Sequence, residues 1–569
     1  MRIRPILLVT ILALGVAYAL EPYTDTLSPE LRATREGRTK ETSIPVIVQF
    51  KAGAKNKQQG RARLLSRGAI EKLDLGESTL FEVTPNQLQS LAADPAVAYV
   101  SPDRKVKANL DLIQPAVRAD IALANGFTGE GVGIAIIDSG VNKHKDLNHI
   151  VYEENFVPGD NKANDLYGHG SHVAGIAAGD GSASANGFRT FRGVATSANL
   201  INLRVLDANG IGTDSQVIAA IDRAIALKDT YNIRVINLSL GRPVVESYKI
   251  DPLGRAVNRA VDAGIVVVAA AGNYGRDNSF GSQGYGLITS PGNHPRVITV
   301  GAMKTRETTA RDDDEIASYS SKGPSMIDRI AKPDLVAPGN RVASLLTLNG
   351  ALVSGYPGNV IPSSYYSRGG PATSQDYYRL SGTSMATPVV SGAVALMLQK
   401  DPSLSPDTVK ARLMKSATKN FPTSSTATDS VTGTIYVSQY DLFTVGAGYL
   451  DVWAALNSVD VATKPALSPE ARYDAATNQV YLMTDQSALW GSSAVWGSSA
   501  VWGSNAFVSQ TSAVWGSSAV WGSSAVWGSS AVWGSSALWG SSALWGSSAV
   551  WGSGTPRAEQ SQLQILGEK

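Results

Sequence analysis

The sequence predicts an α/β protein: a doubly wound parallel sheet, with a small α+β unit ahead of it and a repetitive C-terminal extension behind. Three observations carry this reading. Between Ala108 and Ser458, short apolar Val/Ile runs alternate with helical patterns, as in a parallel sheet covered on both faces. Between Ile44 and Val106, strand and helix signals crowd into one short segment. From Ser487 onward, a hexapeptide of the form WGSSAV recurs.

The chain opens MRIRPILLVTILALGVAYA, two arginines and a short apolar run closing on Ala17-Tyr18-Ala19. This reads as an export signal over residues 1–19, cut after Ala19. The run is short for an anchor, and no later stretch is long and apolar enough to span a bilayer. In the small unit, Ile44–Phe50, Thr79–Val83 and Ala96–Val100 read as strands, with helices near Asn56–Arg67 and Pro85–Leu91. In the main region the strands are Val132–Ile137, Leu200–Leu206, Val235–Leu240, Ile265–Ala271 and Val297–Val300, and helices cover Asp214–Lys228 and Pro252–Ala263. Working residues of such sheets gather at the carboxyl ends of strands.

Residues 459–486 read as a connector of uncertain structure, 487–553 as the repeat and 554–569 as a polar tail. Trp recurs every six residues on both sides of a break at Asn505–Ser512. Six is even, so an extended strand would place Trp, the first Ser and Ala on one face. A stacked array that buries the indoles and a flexible low-complexity tail are both open readings.

Composition removes several classes. Fifty Lys and Arg stand against 48 Asp and Glu, for a net charge of +2, so charge gives no case for nucleic acid or an anionic membrane. The absence of cysteine excludes a thiol enzyme and Cys-type zinc sites, and an exported chain of this kind must rest on core burial, with or without bound metal ions. The five histidines, His144, His149, His169, His172 and His294, make a His-rich metal site improbable.

Four segments carry the chemistry. RLSGTSMATPVVSGAVALML, Arg379–Leu398, sets hydroxyls ahead of an apolar helix. Ser384 lies at the helix start, where free amides and the dipole favour negative charge. Ser381 and Thr383 read as turn and cap hydroxyls, and Pro388 as a first-turn proline. A serine hydroxyl needs a base and an oxyanion donor to act as a nucleophile. GHGSHVAGIAAG, Gly168–Gly179, puts His169 at the mouth of a tightly packed helix as the candidate proton shuttle, with His172 deeper and structural. Asp138 ends the apolar run VGIAIID, placed to hold an imidazole in one tautomer. Asn273 ends VVVAAAGN, where its amide can donate to an oxyanion. Taken alone, Asp138 and Asn273 are more often turn residues, and the His169–His172 pair could equally be a metal site, although no carboxylate follows at ligand spacing.

Together, IAIIDSG, GHGSHVAGIAAG, VINLSLGRP, VVVAAAGN, KPDLVAPG and LSGTSMATPVVSG resemble the subtilisin-type serine endopeptidases over about Ala108–Leu456. The resemblance implies a subtilisin-like fold with Asp138, His169 and Ser384 as the catalytic set and Asn273 as the oxyanion donor. It implies that Ser239, Leu240 and Gly241 pair with substrate backbone, and that Ala270 and Gly272 form the other wall of the side-chain pocket. Polypeptides are the implied substrates. The chemistry needs no cofactor. A structural calcium is an expectation resting on Asp146 alone, because the usual calcium loop is not recognisable in Asp180–Arg192 and one carboxylate is not a site. Residues 44–106, down to LAADPAVAYVSPD, resemble the inhibitory propeptide, with self-cleavage near Lys105–Ala108.

Two features depart from the family pattern or lie outside it. An insert at about Leu346–Tyr378 could rim the cleft. Arg242 either favours acidic or polar substrate side chains or is a plain surface arginine. The rival reading is a catalytically silent adhesin that binds a surface through its Trp repeat. The intact Asp, His, Ser and Asn argue against it.

Overall fold

The computed structural model describes residues 43–102 apart from 52 and 77, and 112–482 apart from 279–281, 368–374, 430–431 and 475–478, with residues 26, 27, 31, 567 and 568. The export signal, the segment around Lys105–Ala108 and the Trp repeat lie outside the described residues. Two compact units divide at Ala108 and Asn109.

In the first unit, strands β1 (Ile44–Phe50), β2 (Ile70–Asp74), β3 (Ser78–Val83) and β4 (Val97–Pro102) form an antiparallel sheet in the order β2-β3-β1-β4. Helices α1 (Ala54–Ser66) and α2 (Gln87–Ala92) join them. Val46, Val48, Phe81, Val83 and Val100 alternate onto one face and bury there with Leu64, Leu88 and Leu91. Strand β2 was not foreseen: IEKLD is mostly exposed at the sheet edge and carries little apolar signal.

In the second unit, β5 (Gly133–Asp138), β6 (Ile150–Asn155), β7 (Asn199–Arg204), β8 (Ile233–Leu238), β9 (Val266–Ala270), β10 (Ile298–Lys304) and β11 (Glu315–Ile316) lie in the order β11-β10-β9-β8-β5-β7-β6. A further strand, β12 (Leu335–Pro338), also pairs β10. The pairs are parallel except β10 with β11. Strand β5 shows why these segments read as unbroken apolar runs. Ile134 and Ile136 enter one core, while Ala135 and Ile137 enter the other.

The first core is closed by helices α3 (His169–Ala178) and α6 (Thr383–Lys400), the second by α4 (Asp214–Ala226) and α5 (Pro252–Asp262). Strands β6 and β12 are additions to the sequence reading. The first is a half-exposed edge strand with polar alternation, IVYEEN, and the second spans only LVAP. Among the described residues, no helix is long and apolar enough to cross a membrane.

The insert after Leu346 returns to the body through β14 (Tyr377–Leu380), antiparallel to β13 (Val342–Leu345). Residues past Ser458 also pack on this unit. A hairpin of Ala471–Asp474 with Gln479–Leu482 follows Ser468, whose hydroxyl reaches the buried Asp334 carboxylate. Asp334 also pairs with two buried lysines, Lys332 at 2.7 Å and Lys410 at 3.1 Å. Burial pulls the Lys332 pKa down to about 7 even beside that carboxylate.

Candidate active site

Asp138 is the last residue of β5, and His169 is the first of α3. Imidazole Nδ1 lies 2.7 Å from Asp138 Oδ1, which also accepts from the Ser139 N–H at 2.7 Å. Asp138 is fully buried, and its Oδ2 has no hydrogen-bond partner. Burial pulls the His169 pKa down. The Asp138 charge and hydrogen bond outweigh it, and the net shift is upward.

The turn that presents His169 is built on a second carboxylate, which the sequence reading missed. Asp165 Oδ1 accepts from the Ser139 hydroxyl and from the N–H groups of Tyr167 and Gly168, at 2.9, 3.1 and 2.7 Å. Its Oδ2 accepts from the Ser171 N–H at 2.9 Å and the Thr347 hydroxyl at 3.2 Å. The buried acid thus ties β5, the start of α3 and the insert into one frame. Its only sequence signal is its place in NDLYGHG, where it reads as a loop residue. Close approach explains Gly170: a Cβ there would lie 2.1 Å from the Gly140 carbonyl oxygen. His172 is fully buried with Nε2 near the carbonyls of Val342 and Tyr378, and burial pulls its pKa down to about 3, so it is neutral.

Ser384 is the second residue of α6. Its hydroxyl donates to the Ser239 carbonyl at 2.9 Å, and the Ser239 hydroxyl donates back to the Ser384 carbonyl at 2.8 Å. Pro388 explains the second bond. It sits in the second turn, not the first, and has no N–H to give the carbonyl four residues back, so the Ser384 oxygen is free to accept elsewhere. No hydrogen bond joins Ser384 to His169 among the described residues. Such bonds are often open in a free enzyme and close around substrate.

Asn273 follows β9 closely. Its Oδ1 accepts from the Thr383 N–H at 2.9 Å and the Thr383 hydroxyl at 3.0 Å, which fixes the amide and turns Nδ2 outward. A Cβ on Gly382, φ +147°, would lie 3.3 Å from that Nδ2 and 3.6 Å from the Ser384 amide nitrogen. Two donors therefore flank one space that glycine keeps clear. Ser381 and Thr383 are not helix caps as the sequence reading had them. Ser381 accepts from the Arg341 N–H at 2.9 Å, and Thr383 accepts from the Gly272 N–H at 3.2 Å. They brace neighbouring loops because the helix begins on a glycine, Gly382.

Ser239, Leu240 and Gly241 extend β8, while Ala270 ends β9 and Gly272 follows it. Thr289 lies between these walls: a Cβ on Gly241 would meet its Oγ1 at 2.6 Å, and one on Gly272 its Cγ2 at 2.8 Å. Arg242 is taken up by Asp214 and Asp251, each at 2.9 Å, so its charge is already compensated within the chain. The insert does border the site. Leu352 donates its N–H to the Tyr167 carbonyl at 3.0 Å, two residues before His169.

Asp146 lies outside this cluster, and the residues there do not fit calcium. Its oxygens already accept from the Ala183 N–H and the Tyr377 hydroxyl, each at 2.7 Å. Burial pushes its pKa up. Among the described residues no group of three or more His, Asp or Glu is placed to hold a metal ion.

A carboxylate–imidazole pair at the carboxyl end of β5 and a serine in the first turn of α6, in a doubly wound sheet, fit the class of serine hydrolases. Comparison with known proteins narrows the class. The subtilase family model matches residues 129–448, and the chain belongs to that family. It is 36% identical over 399 residues to the serine protease AprX of Bacillus subtilis, covering 66% of this chain and 83% of that protein. It is 34% identical over 336 residues to subtilisin E of the same organism, covering 58% and 73%. An alkaline protease of Shouchella clausii is 34% identical over 340 residues, covering 59% and 73%. The protein is a subtilisin-like serine endopeptidase acting on polypeptides.

Proposed function

We propose that the protein is secreted as a self-inhibited precursor and cuts peptide bonds through an acyl-enzyme on Ser384. The Ser384 oxygen bonds to the scissile carbonyl carbon, and its proton passes to His169. The oxyanion is held by Asn273 Nδ2 and the Ser384 N–H. As the carbon–nitrogen bond breaks, His169 returns the proton to the leaving amine, and water then repeats the sequence to free the acid. Asp138 keeps the imidazole in the accepting tautomer and steadies its cation. The substrate docks as an added strand between Ser239–Gly241 and Ala270–Gly272, held by main-chain bonds. The observation that carries this reading is the 2.7 Å contact of Asp138 with His169 in a subtilase chain. Residues 44–106 act as the inhibitor, residues 1–19 as the export signal, and the Trp repeat as a tether to a cell surface or polymer.

A fluorophosphonate probe tests the reading. Matured protein is expected to be labelled on the peptide containing Ser384, found by mass spectrometry, and to lose hydrolysis of unfolded protein in parallel. A folded, matured chain that takes no label would overturn it. Asn273→Ala is expected to lower kcat by about a hundredfold to a thousandfold with KM little changed, the size known for this donor in subtilisin itself. Steady-state hydrolysis of a chromogenic peptide checks it.

A further inference from the structure

Near the end of the sequence, Gly567 and Glu568 pack into the second unit. Glu568 is only 6% exposed there. One side chain reads its backbone: Asn340 Oδ1 accepts from the Glu568 N–H at 2.9 Å, and Asn340 Nδ2 donates to the Glu568 carbonyl at 2.8 Å. The carboxylate is held from several sides. Oε1 accepts from Arg276 Nη2 at 3.1 Å, from the Ser318 N–H at 3.0 Å and from the Ser318 hydroxyl. Oε2 forms an ion pair with Lys304 Nζ at 3.1 Å. Arg276 and Lys304 are themselves buried, and each also meets one further acid, Asp429 at 3.0 Å and Glu315 at 3.2 Å.

The preceding residue is selected by space. A Cβ on Gly567, φ +74°, would lie 2.4 Å from Ser381 Oγ and 2.6 Å from Arg341 Cγ. A buried carboxylate is tolerated only where cations and donors replace its water. Here both the charge and the main-chain amide of Glu568 are matched, by residues from four separate segments.

We propose that these residues form a socket specific for a Gly-Glu peptide segment, filled in cis by Gly567-Glu568. The socket fastens the far end of the Trp-rich segment to the peptidase unit. The near end is fixed by the hairpin strand Gln479–Leu482, paired with Ala471–Asp474.

Hydrogen exchange read by mass spectrometry tests this on the full chain carrying Ser384→Ala, which prevents self-digestion. The readout does not depend on proteolysis, so it stands or falls separately from the peptidase assignment. The Glu568 amide, in a peptide spanning Ile565–Lys569, is expected to exchange at least about a hundredfold more slowly than in the denatured chain. Asn340→Ala and Glu568→Gln should each remove most of that protection while the β5 amides stay protected. Exchange at the denatured rate in the parent chain would refute the socket. So would equal protection in the parent and both variants.

Discussion

Replacing Ser384 with alanine is expected to lower turnover of a peptide substrate roughly a millionfold, a size known from subtilisin itself. The same change should leave the precursor at full length when it is made in a host free of other peptidases. The physical reason is that the two hydroxyls beside it in the sequence are committed elsewhere. Ser381 and Thr383 are engaged with Arg341, Gly272 and Asn273. The fold should survive. The Ser384 hydroxyl donates one neutral hydrogen bond, to Ser239, worth about 1 kcal/mol. The two readouts separate two claims. Loss of turnover tests the nucleophile, and the size of the secreted chain tests self-processing. If the alanine protein matured to the same size, another enzyme would be doing the cutting, and the self-cleavage near Lys105–Ala108 would be wrong.

How much of this was legible in the sequence depended on how each residue earns its place. Strands buried on both faces announce themselves, because every position must be apolar, as in β5. Edge strands such as β2 and β6 owe their place to pairing rather than burial, and their polar residues hid them. Asp138, His169, Asn273 and Ser384 stood out in the sequence because each lies at or shortly after a strand end or in the first turn of a helix, with a glycine one or two positions away. Asp165 and Thr289 were not readable, since their roles exist only through partners from distant segments. Asp165 joins Ser139, Ser171 and Thr347, and Thr289 separates Gly241 from Gly272. Arg242 showed the reverse: its charge was visible, but the two acids that absorb it were not. The Glu568 socket was invisible for the same reason, being assembled from Arg276, Lys304, Ser318 and Asn340 around a residue in what read as a polar tail.

Asp138→Asn separates orientation from packing, because the side chain keeps its size and loses only its charge and one acceptor. The carboxylate now takes the Nδ1 proton of His169 on Oδ1 and leaves Oδ2 without a partner. An asparagine can present its NH2 group to Nδ1, which then must accept, and the ring proton moves to Nε2. That tautomer cannot take a proton from Ser384. The expected loss is about ten-thousandfold in kcat at neutral pH, on the precedent of the same substitution in a serine protease of another fold. The charge has a second effect with its own signature. Asp138 is what lifts the His169 pKa above 6.5 against the pull of burial. Activity needs the neutral ring, so in the parent kcat/KM is fully present above the raised pKa and falls as pH drops through it. Without the carboxylate, burial dominates and the acid limb should move to lower pH. A pH profile of kcat/KM for both proteins measures this. A variant retaining more than about a tenth of parent turnover, or an acid limb that stays in place, would show that Asp138 neither orients nor charges the ring.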